Sequence, residues 1–292
     1  MENFTRSDLA YENPAARRAE QGYREERVGP HTVARLEIRD DESGKRFGKE
    51  PGAYVTVLCE KMWLMSEDDG ALLVRLVADE LRKLCFAVCG KRVDRNFRVL
   101  VAGLGNSEIT PDAIGPNCVR QLNVTRHLRS VDGGLYDTVG RCEISAVSPG
   151  VLGQTGIETV ELIRGAAENA RPDVVVAIDA LAARSCERLA ATVQISDAGI
   201  RPGSGIGNAR KAICRETVGC PVIAVGVPTV VDSSTLVWDA LDRAGIRSVE
   251  GELRRVLENG RRFFVSPKES DVITERVSRL LADAVDTAFT VV

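Results

Sequence analysis

Three short apolar runs, separated by helix-like segments, constrain the fold of this chain most strongly. They are FRVLVAG (97–103), DVVVAI (173–178) and PVIAVGV (221–227). Runs this rich in valine and isoleucine are typical of parallel strands that are buried on both faces of a sheet. Because such strands alternate with helices, we predict an α/β fold with three layers, in which a mostly parallel sheet carries helices on both faces.

The remaining segments predict one domain rather than several, since no linker rich in proline and serine divides the chain. Residues 32–39 and 53–60 alternate between apolar and polar side chains, which indicates two strands of a hairpin with a long loop. Residues 66–90 predict a long amphipathic helix, and residues 266–292 predict a C-terminal helix. Residues 1–30 are polar and predict a loosely held arm.

Bulk properties exclude several classes of protein. The net charge of −3 gives no basic field for nucleic acid, so no direct nucleic-acid partner is expected. No apolar run is long enough to span a bilayer, and the N-terminus is too polar for a signal peptide, so we expect a cytoplasmic protein without a membrane partner. The eight cysteines accompany only two histidines, which favours reduced thiols over a metal site.

Two aspartates follow predicted strands at positions where reactive groups gather in α/β sheets. Asp179 ends the strand 174–178, and Asp112 lies a short loop beyond the strand 97–103. If these strands are neighbours, at a spacing of ~4.8 Å, the two carboxylates share one cleft. Such a pair holds a proton between acid and base roles. The alternative, a helix cap at Asp179 and a simple turn at Asp112, stays open.

Two glycine-rich stretches do not match nucleotide-binding motifs. GLGN (103–106) begins like a dinucleotide fingerprint, but Glu108 stands where the third glycine belongs. RPGSGIGNARK (201–211) lacks the pattern of a phosphate-binding Walker loop. Both are therefore interpreted as constrained active-site loops, and no cofactor is expected.

The sequence disfavours a serine or cysteine hydrolase. No GxSxG motif is present, and Ser185 and Cys186 have no histidine near them in sequence to activate either side chain. His127, in the segment TRHLR, is more typical of a surface or hydrogen-bonding residue than of a catalyst.

Seven segments, in order along the chain, resemble the germination protease family of endospore-forming bacteria, also called spore proteases. They are GLGNSEITPDAIGP, VTRHL, SAVSPGVLGQTGIET, PDVVVAIDALAARS, QISDAGIRPGSGIGNARK, PVIAVGVPTVVD and SPKESDVI. The resemblance implies an endopeptidase that degrades small acid-soluble spore proteins at germination, inside the forespore or spore core. It also implies a homotetramer and a fold similar to that of the hydrogenase maturation peptidases.

The resemblance further implies an atypical aspartic mechanism with two essential aspartates. They lie in the TPDA and IDALA motifs, which here contain Asp112 and Asp179. The sequence does not assign the base and the acid. Backbone N–H groups of the two glycine loops are candidates for binding the substrate or its oxyanion. These candidates are Gly103, Gly105, Asn106, Gly203, Ser204 and Gly205.

The N-terminal segment matches the cleavage pattern that the resemblance implies: Ser or Thr, an acid, a bulky apolar residue, Ala, any residue and Glu. Residues 7–12 read SDLAYE. Because cleavage follows the first acid, we predict autoprocessing of a zymogen between Asp8 and Leu9. Residues 1–8 are then a propeptide, and residues 9–292 form a single α/β peptidase domain.

Three other functions are alternatives to the endopeptidase. A metal-dependent maturation peptidase of the related fold would use His127, the one imidazole in the matched segments. A nucleotide-binding oxidoreductase would use the GLGN loop. A non-catalytic spore-protein binder would bind the substrate and leave it intact. The segment 233–265 is shorter than in longer family members, so it leaves the oligomeric state open.

Overall fold

A nine-stranded sheet forms the centre of the computed structural model, which describes residues 7–13, 22–204, 210–246, 248–259 and 263–291. The strands are β1 (Tyr23–Val28), β2 (His31–Ile38), β3 (Gly52–Leu58), β4 (Arg98–Gly103), β5 (Glu143–Val147), β6 (Val174–Ala183), β7 (Thr192–Ser196), β8 (Val222–Asp232) and β9 (Phe264–Val265). Their order across the sheet is β1-β2-β3-β7-β8-β6-β4-β5, with β9 beside β8.

The helices connect these strands and cover the sheet. They are α1 (Asp41–Phe47), α2 (Glu67–Cys89), α3 (Ile114–Gln121), α4 (Arg126–Val131), α5 (Gly133–Val139), α6 (Leu152–Thr155), α7 (Thr159–Ala170), α8 (Arg215–Val218), α9 (Ser233–Arg243), α10 (Gly251–Asn259) and α11 (Ser270–Ala288). Short 3-10 turns span Ala10–Glu12, Thr110–Asp112 and Cys186–Arg188. None of the helices described is long and apolar enough to cross a membrane.

The predicted α/β architecture with helices on both faces is confirmed, but the sheet is mixed rather than mostly parallel. Strands β5, β4, β6 and β8 are parallel neighbours. The hairpin strands β1, β2 and β3 continue the sheet through β7, and every neighbouring pair on that side is antiparallel. The predicted hairpin strands thus extend the parallel sheet instead of forming a separate layer.

Strand β6 separates two apolar cores, as its valine-rich sequence predicts. Val174, Val176 and Ile178 face a core that contains residues of α2, α3 and α11. Val175 and Ala177 face the opposite core, which contains residues of α7. Because successive side chains of a strand point to opposite faces, this alternation fixes the side of the sheet on which the next residue lies.

The loosely held arm predicted for residues 1–30 is wrong for the part that the structure describes. Residues 23–28 form β1, and the segment 7–13 is docked on the domain, with Leu9 and Ala10 each 1% exposed. The polar composition misled the prediction because the polar groups of this segment are satisfied by specific partners in β6, β7 and the loop before β3.

None of the eight cysteines is paired in a disulfide. Burial raises the pKa of Cys59 to about 12 and that of Cys89 to about 11. A thiol is a nucleophile only when it is deprotonated, so these two side chains are unreactive near neutral pH.

Candidate active site

Asp179 lies within β6, just beyond the end of its neighbour β4. The pairing of β4 with β6 ends at Gly103 opposite Ile178, whereas β8 continues to pair with β6 and places Gly226 opposite Asp179. The strand end that was predicted at Asp179 is therefore the end of the neighbouring strand β4, whereas β6 itself continues to Ala183. The Asp179 side chain lies on the face of the sheet that carries Val175 and Ala177, because residues two apart on a strand point to the same face.

The GLGN loop holds Asp112 beside this point. The Leu104 N–H donates to the Ile178 carbonyl at 2.8 Å, and the Asn106 N–H donates to Asp112 Oδ2 at 2.8 Å. Gly105 lies between these contacts with φ of 110°, and a Cβ there would come within 2.0 Å of the Asp112 carbonyl oxygen. Only glycine allows the loop to approach Asp112 this closely.

The electrostatics of the two aspartates differ in degree. Burial, followed by the negative charges of Asp112 and Asp8, raises the pKa of Asp179 well above its ordinary value. Burial also raises the pKa of Asp112, and the hydrogen bond from Asn106 opposes that shift. Asp179 is 6% exposed, and Asp112 is partly buried. The structure therefore brings the predicted pair close enough to interact, and Asp179 is the member that retains a proton more strongly.

This shift predicts a pH-dependent stability difference between the wild-type chain and Asp179→Asn. Because the pKa of Asp179 is higher in the folded chain, its contribution is complete below the unfolded pKa and is lost as pH rises through the folded pKa. As pH rises above about 3.9, the ordinary pKa of an aspartate, the wild type should lose up to about 1.4 kcal/mol per pH unit relative to Asp179→Asn, until the pH passes the folded pKa. Urea unfolding at several pH values measures this difference; a constant difference would contradict it.

A cavity of about 1150 Å³ opens on the face of the sheet that carries Asp179. Its lining also includes Lys49, Gln194, Asp197 and Ser204, whereas Asp112 is not part of the lining. The chain's own residue Asp8 also lines this cavity. The N-terminal segment therefore borders the cavity through Asp8.

Asp8 is held through its backbone and its carboxylate. Its N–H donates to the Ala182 carbonyl at 2.9 Å, and the Ala182 N–H donates back to Asp8 Oδ2 at 2.9 Å. The Ser204 hydroxyl donates to Asp8 Oδ1 at 2.8 Å. Both carboxylate oxygens thus have a donor, as the recognition of an acidic side chain requires.

The two residues after Asp8 fill apolar pockets. Leu9 packs in one cluster with Leu181, Ala183, Leu189 and Val231. Ala10 packs in another with Leu36, Ile38, Phe47 and Tyr54. Both residues are almost completely buried, so the second pocket has no space for a larger side chain without rearrangement.

Glu12 is bound just beyond the end of β6. The N–H groups of Arg184 and Ser185 donate to its two carboxylate oxygens at 2.7 and 3.0 Å. The Ser7 hydroxyl also donates to Glu12 Oε2. Tyr11 packs its ring against the guanidinium of Arg188. The docked segment therefore presents an acid, an apolar residue, Ala, a variable residue and an acid to five different environments.

Two residues that the sequence did not single out contact the Asp8 carbonyl oxygen. Lys49 Nζ donates to it at 2.8 Å, and Gln194 Nε2 donates to it at 3.0 Å. Gln194 had a signal in the sequence, since it is a polar residue in the otherwise strand-like segment TVQIS. Lys49 had none, because it lies in a charged loop among other lysines and arginines.

The predicted glycine-loop residues lie in different settings. Gly103 ends β4 and packs against Gly115, and the Asn106 side-chain oxygen accepts hydrogen bonds from the loop and from Gln154. Gly203 and Ser204 line the cavity, and Ser204 reaches Asp8 through its hydroxyl. Gly205 lies outside the described residues. An oxyanion role for the amides of these loops stays a prediction.

His127 lies apart from the two aspartates. It is exposed on α4 and lines a separate cavity of about 600 Å³ with Arg126, Arg129 and Glu143. Within the described ranges, no group of three or more His, Cys, Asp and Glu side chains is arranged to hold a metal ion. No observation therefore connects His127 with the Asp179 site.

Comparison with known proteins gives a consistent result. The family model described as "Germination protease" matches residues 8–246. The germination protease of Clostridium acetobutylicum is 37% identical, over 98% of this chain and 95% of the relative. That of Clostridium perfringens is 39% identical, over 88% and 83%. That of Oceanobacillus iheyensis is 44% identical over 75% of this chain, and only 59% of the relative is covered.

A solved structure also matches part of this chain. It is the hydrogenase maturation protease HycI from Thermococcus kodakarensis, with 17% sequence identity and a TM-score of 0.35. The match covers 65% of this chain and 92% of that protein.

Proposed function

The chain belongs to the germination protease family, and on that premise we propose that it is an endopeptidase that degrades small acid-soluble spore proteins. Its place of action is the forespore or the spore core, at germination. Cleavage follows the acid in a site of the form Ser/Thr, acid, apolar residue, Ala, any residue, Glu. The proposed catalytic pair is Asp112 and Asp179, and no cofactor takes part.

One observation carries this proposal: residues 7–12 are docked along β6, with Asp8 at the cavity that Asp179 also lines, in the register of the cleavage pattern. The acid Asp8 has donors on both carboxylate oxygens, the apolar Leu9 is buried, and Glu12 accepts two backbone N–H groups. A non-specific tail has no reason to satisfy each position of the pattern with a matching environment. This supports the interpretation of the segment as the chain's own substrate, with Asp8–Leu9 as the scissile bond.

The proposed mechanism divides the roles of the two aspartates by their burial. Asp179, the more deeply buried, is the protonated acid, and Asp112 is the ionised base. Asp112 takes a proton from water, and the water oxygen bonds to the Asp8 carbonyl carbon. The carbon–nitrogen bond then breaks as Asp179 donates its proton to the Leu9 nitrogen, and the proton that Asp112 took from water then passes to Asp179 and restores the pair. The products are a new carboxyl group on Asp8 and a new amino group on Leu9.

In this proposal the chain is made as a zymogen, and self-cleavage removes residues 1–8. A spore-protein segment then takes the position of residues 7–12, after residues 9–12 have left the cavity. The mature peptidase domain is residues 9–292, and we expect it to act as a homotetramer, on the family resemblance.

Intact-mass spectrometry of the full chain tests the proposal. The wild-type chain should lose residues 1–8 with a rate constant that does not depend on protein concentration, because the docked segment contacts its own chain. A chain that stays intact, or one that is cut first at another bond, would contradict the proposal.

Glu12→Gln should slow this self-cleavage by roughly 10- to 100-fold, since hydrogen bonds to a charged group contribute about 1.5–3 kcal/mol. The substitution keeps the shape of the side chain but removes the charge that the N–H groups of Arg184 and Ser185 bind. Glu42→Gln, an exposed change on α1, is the matched control and should cleave at the wild-type rate. Equal rates for Glu12→Gln and the control would exclude a recognition role for Glu12.

A further inference from the structure

Lys49 directs its ammonium group at peptide carbonyls rather than at a carboxylate. Its Nζ lies 2.8 Å from the Asp8 carbonyl oxygen and 3.2 Å from the Ser7 carbonyl oxygen. Among the described residues, no carboxylate oxygen lies within 4.0 Å of this nitrogen. Burial lowers the pKa of Lys49, and the charges of Asp8 and Glu12 oppose that shift only in part. The protein thus places the Lys49 amino group on the Asp8 carbonyl oxygen rather than in an ion pair.

The backbone holds Lys49 in this position. Gly48 ends α1 in the left-handed conformation, and the Lys49 N–H donates to the Gly44 carbonyl at 3.1 Å. The lysine is therefore the first residue after a capped helix rather than part of an unconstrained loop.

Gln194 supplies a second donor to the same oxygen. Its Nε2 donates to the Asp8 carbonyl at 3.0 Å, while its Oε1 accepts the Ala10 N–H at 2.6 Å. The contact with Ala10 fixes the orientation of the Gln194 amide. A reversed amide would place its NH₂ group, a donor, against the Ala10 N–H, which is also a donor. One side chain thus bridges the Asp8–Leu9 bond, with a contact on each side of it.

The sheet places Gln194 across β8 from Asp179. Asp179 and Gln194 both lie directly opposite Gly226, on the two sides of β8. Residues opposite one another on neighbouring strands point to the same face, so both side chains lie on the cavity side. Two strand spacings, about 9.6 Å, separate them, and this distance leaves room for a peptide between them.

We propose that Lys49 and Gln194 form the oxyanion-binding site of this peptidase. This inference rests on the proposed function, since it takes Asp8–Leu9 as the scissile bond. After water adds to the Asp8 carbonyl carbon, the carbonyl oxygen carries a negative charge, which the two donors stabilise. When the carbon–nitrogen bond breaks, the electron pair on that oxygen re-forms the carbonyl, and a proton passes to the Leu9 nitrogen. Donors at 2.8 and 3.0 Å match the distances that such sites require.

The amides of Leu104 and Asn106, in the glycine loop near Asp112, are less suited to this role. The Leu104 N–H is bonded to the Ile178 carbonyl, and the Asn106 N–H is bonded to Asp112. An amide that already has a partner within the protein is not available to a developing charge. The side chains of Lys49 and Gln194, in contrast, donate to the reacting carbonyl itself.

Self-cleavage of full-length variants tests the oxyanion role. Lys49→Met and Gln194→Glu should each reduce the first-order rate constant for loss of residues 1–8 by about 10²-fold or more. Gln194→Glu keeps the acceptor for the Ala10 N–H and removes the donor to the Asp8 carbonyl. Lys49→Arg should restore part of the rate, because it keeps a cationic donor. Lys83→Met, at an exposed lysine paired with Glu80, is the matched control and should cleave like the wild type.

A second measurement separates catalysis from docking. Hydrogen exchange of residues 7–13 is compared between Asp179→Asn and the double variant Asp179→Asn/Lys49→Met. Because Asp179→Asn blocks cleavage, the segment stays attached in both chains. An oxyanion role predicts slow cleavage with unchanged protection of these amides. Slow cleavage with lost protection would overturn the inference, since Lys49 would then only hold the segment in place. Wild-type rates in Lys49→Met would overturn it as well. If the wild-type chain does not cut itself, the proposed function fails first.

Discussion

Asp179→Asn is expected to slow cleavage of the Asp8–Leu9 bond by roughly 10⁴-fold, the loss seen when an acid–base residue is replaced by its amide. The asparagine keeps the size of the side chain but cannot hold the proton that the raised pKa of Asp179 retains. Asp112→Asn should have an effect of similar size, because the pair acts as one unit. A time course of intact mass measures both.

Asp197→Asn is the matched control for these two variants. Asp197 lines the same cavity, and burial raises its pKa as well, but its carboxylate accepts the Ala53 N–H at 2.7 Å. It belongs to the hydrogen bonding of β3 rather than to the proposed pair. The control should cleave at nearly the wild-type rate. More than about 1% residual activity in Asp179→Asn, at an unchanged melting temperature, would contradict the aspartic mechanism.

Leu9→Asp should reduce self-cleavage by roughly 10³-fold through loss of docking rather than loss of chemistry. Leu9 is 1% exposed in its apolar pocket, and an uncompensated buried charge costs about 3–5 kcal/mol. The segment should therefore leave the cavity, and the amides of residues 8–10 should lose their protection from hydrogen exchange. Intact mass and hydrogen exchange together check both statements.

Leu9→Met is the control for this change, since it keeps the volume and apolar character of the side chain. It should cleave within about tenfold of the wild-type rate. Wild-type cleavage by Leu9→Asp would show that the apolar pocket does not select the residue after the scissile bond, and would remove the main support for the proposed cleavage pattern.

The strands and the two aspartates were predictable from sequence because their signals are local. Val174 to Ile178 form a run that only a doubly buried strand explains, and Asp179 interrupts that run. The rule that reactive groups gather at strand ends then pairs it with Asp112. The detail that Asp179 lies inside β6 and only β4 ends there needs the register, which no local pattern contains.

The way the hairpin joins the sheet was not predictable for the same reason. The alternation in residues 53–60 predicts a strand with one exposed face, but its partner β7 lies far along the chain, with Tyr54 opposite Ser196. Pairings between such distant segments depend on the packing of the whole domain rather than on local propensity. The resulting mixed sheet brings Gln194 of β7 next to the parallel strands.

The docking of residues 7–12 was not predictable from their composition. Asp8, Glu12 and Lys49 are charged residues in polar segments, and such segments usually lie in solvent. Here each has partners elsewhere in the fold, including the amides at the end of β6. The family pattern predicts cleavage between Asp8 and Leu9, whereas the donors to the Asp8 carbonyl became apparent only from the structure.

Digestion of a small acid-soluble spore protein tests the central claim most directly. The self-processed protein is incubated with the substrate near neutral pH, with and without a chelator, and the new termini are mapped by mass spectrometry. We predict cuts after the acid of Ser/Thr-acid-apolar-Ala-x-Glu segments, at the same rate in both samples. An intact substrate, cuts at unrelated bonds, or activity that the chelator abolishes would contradict the proposed function.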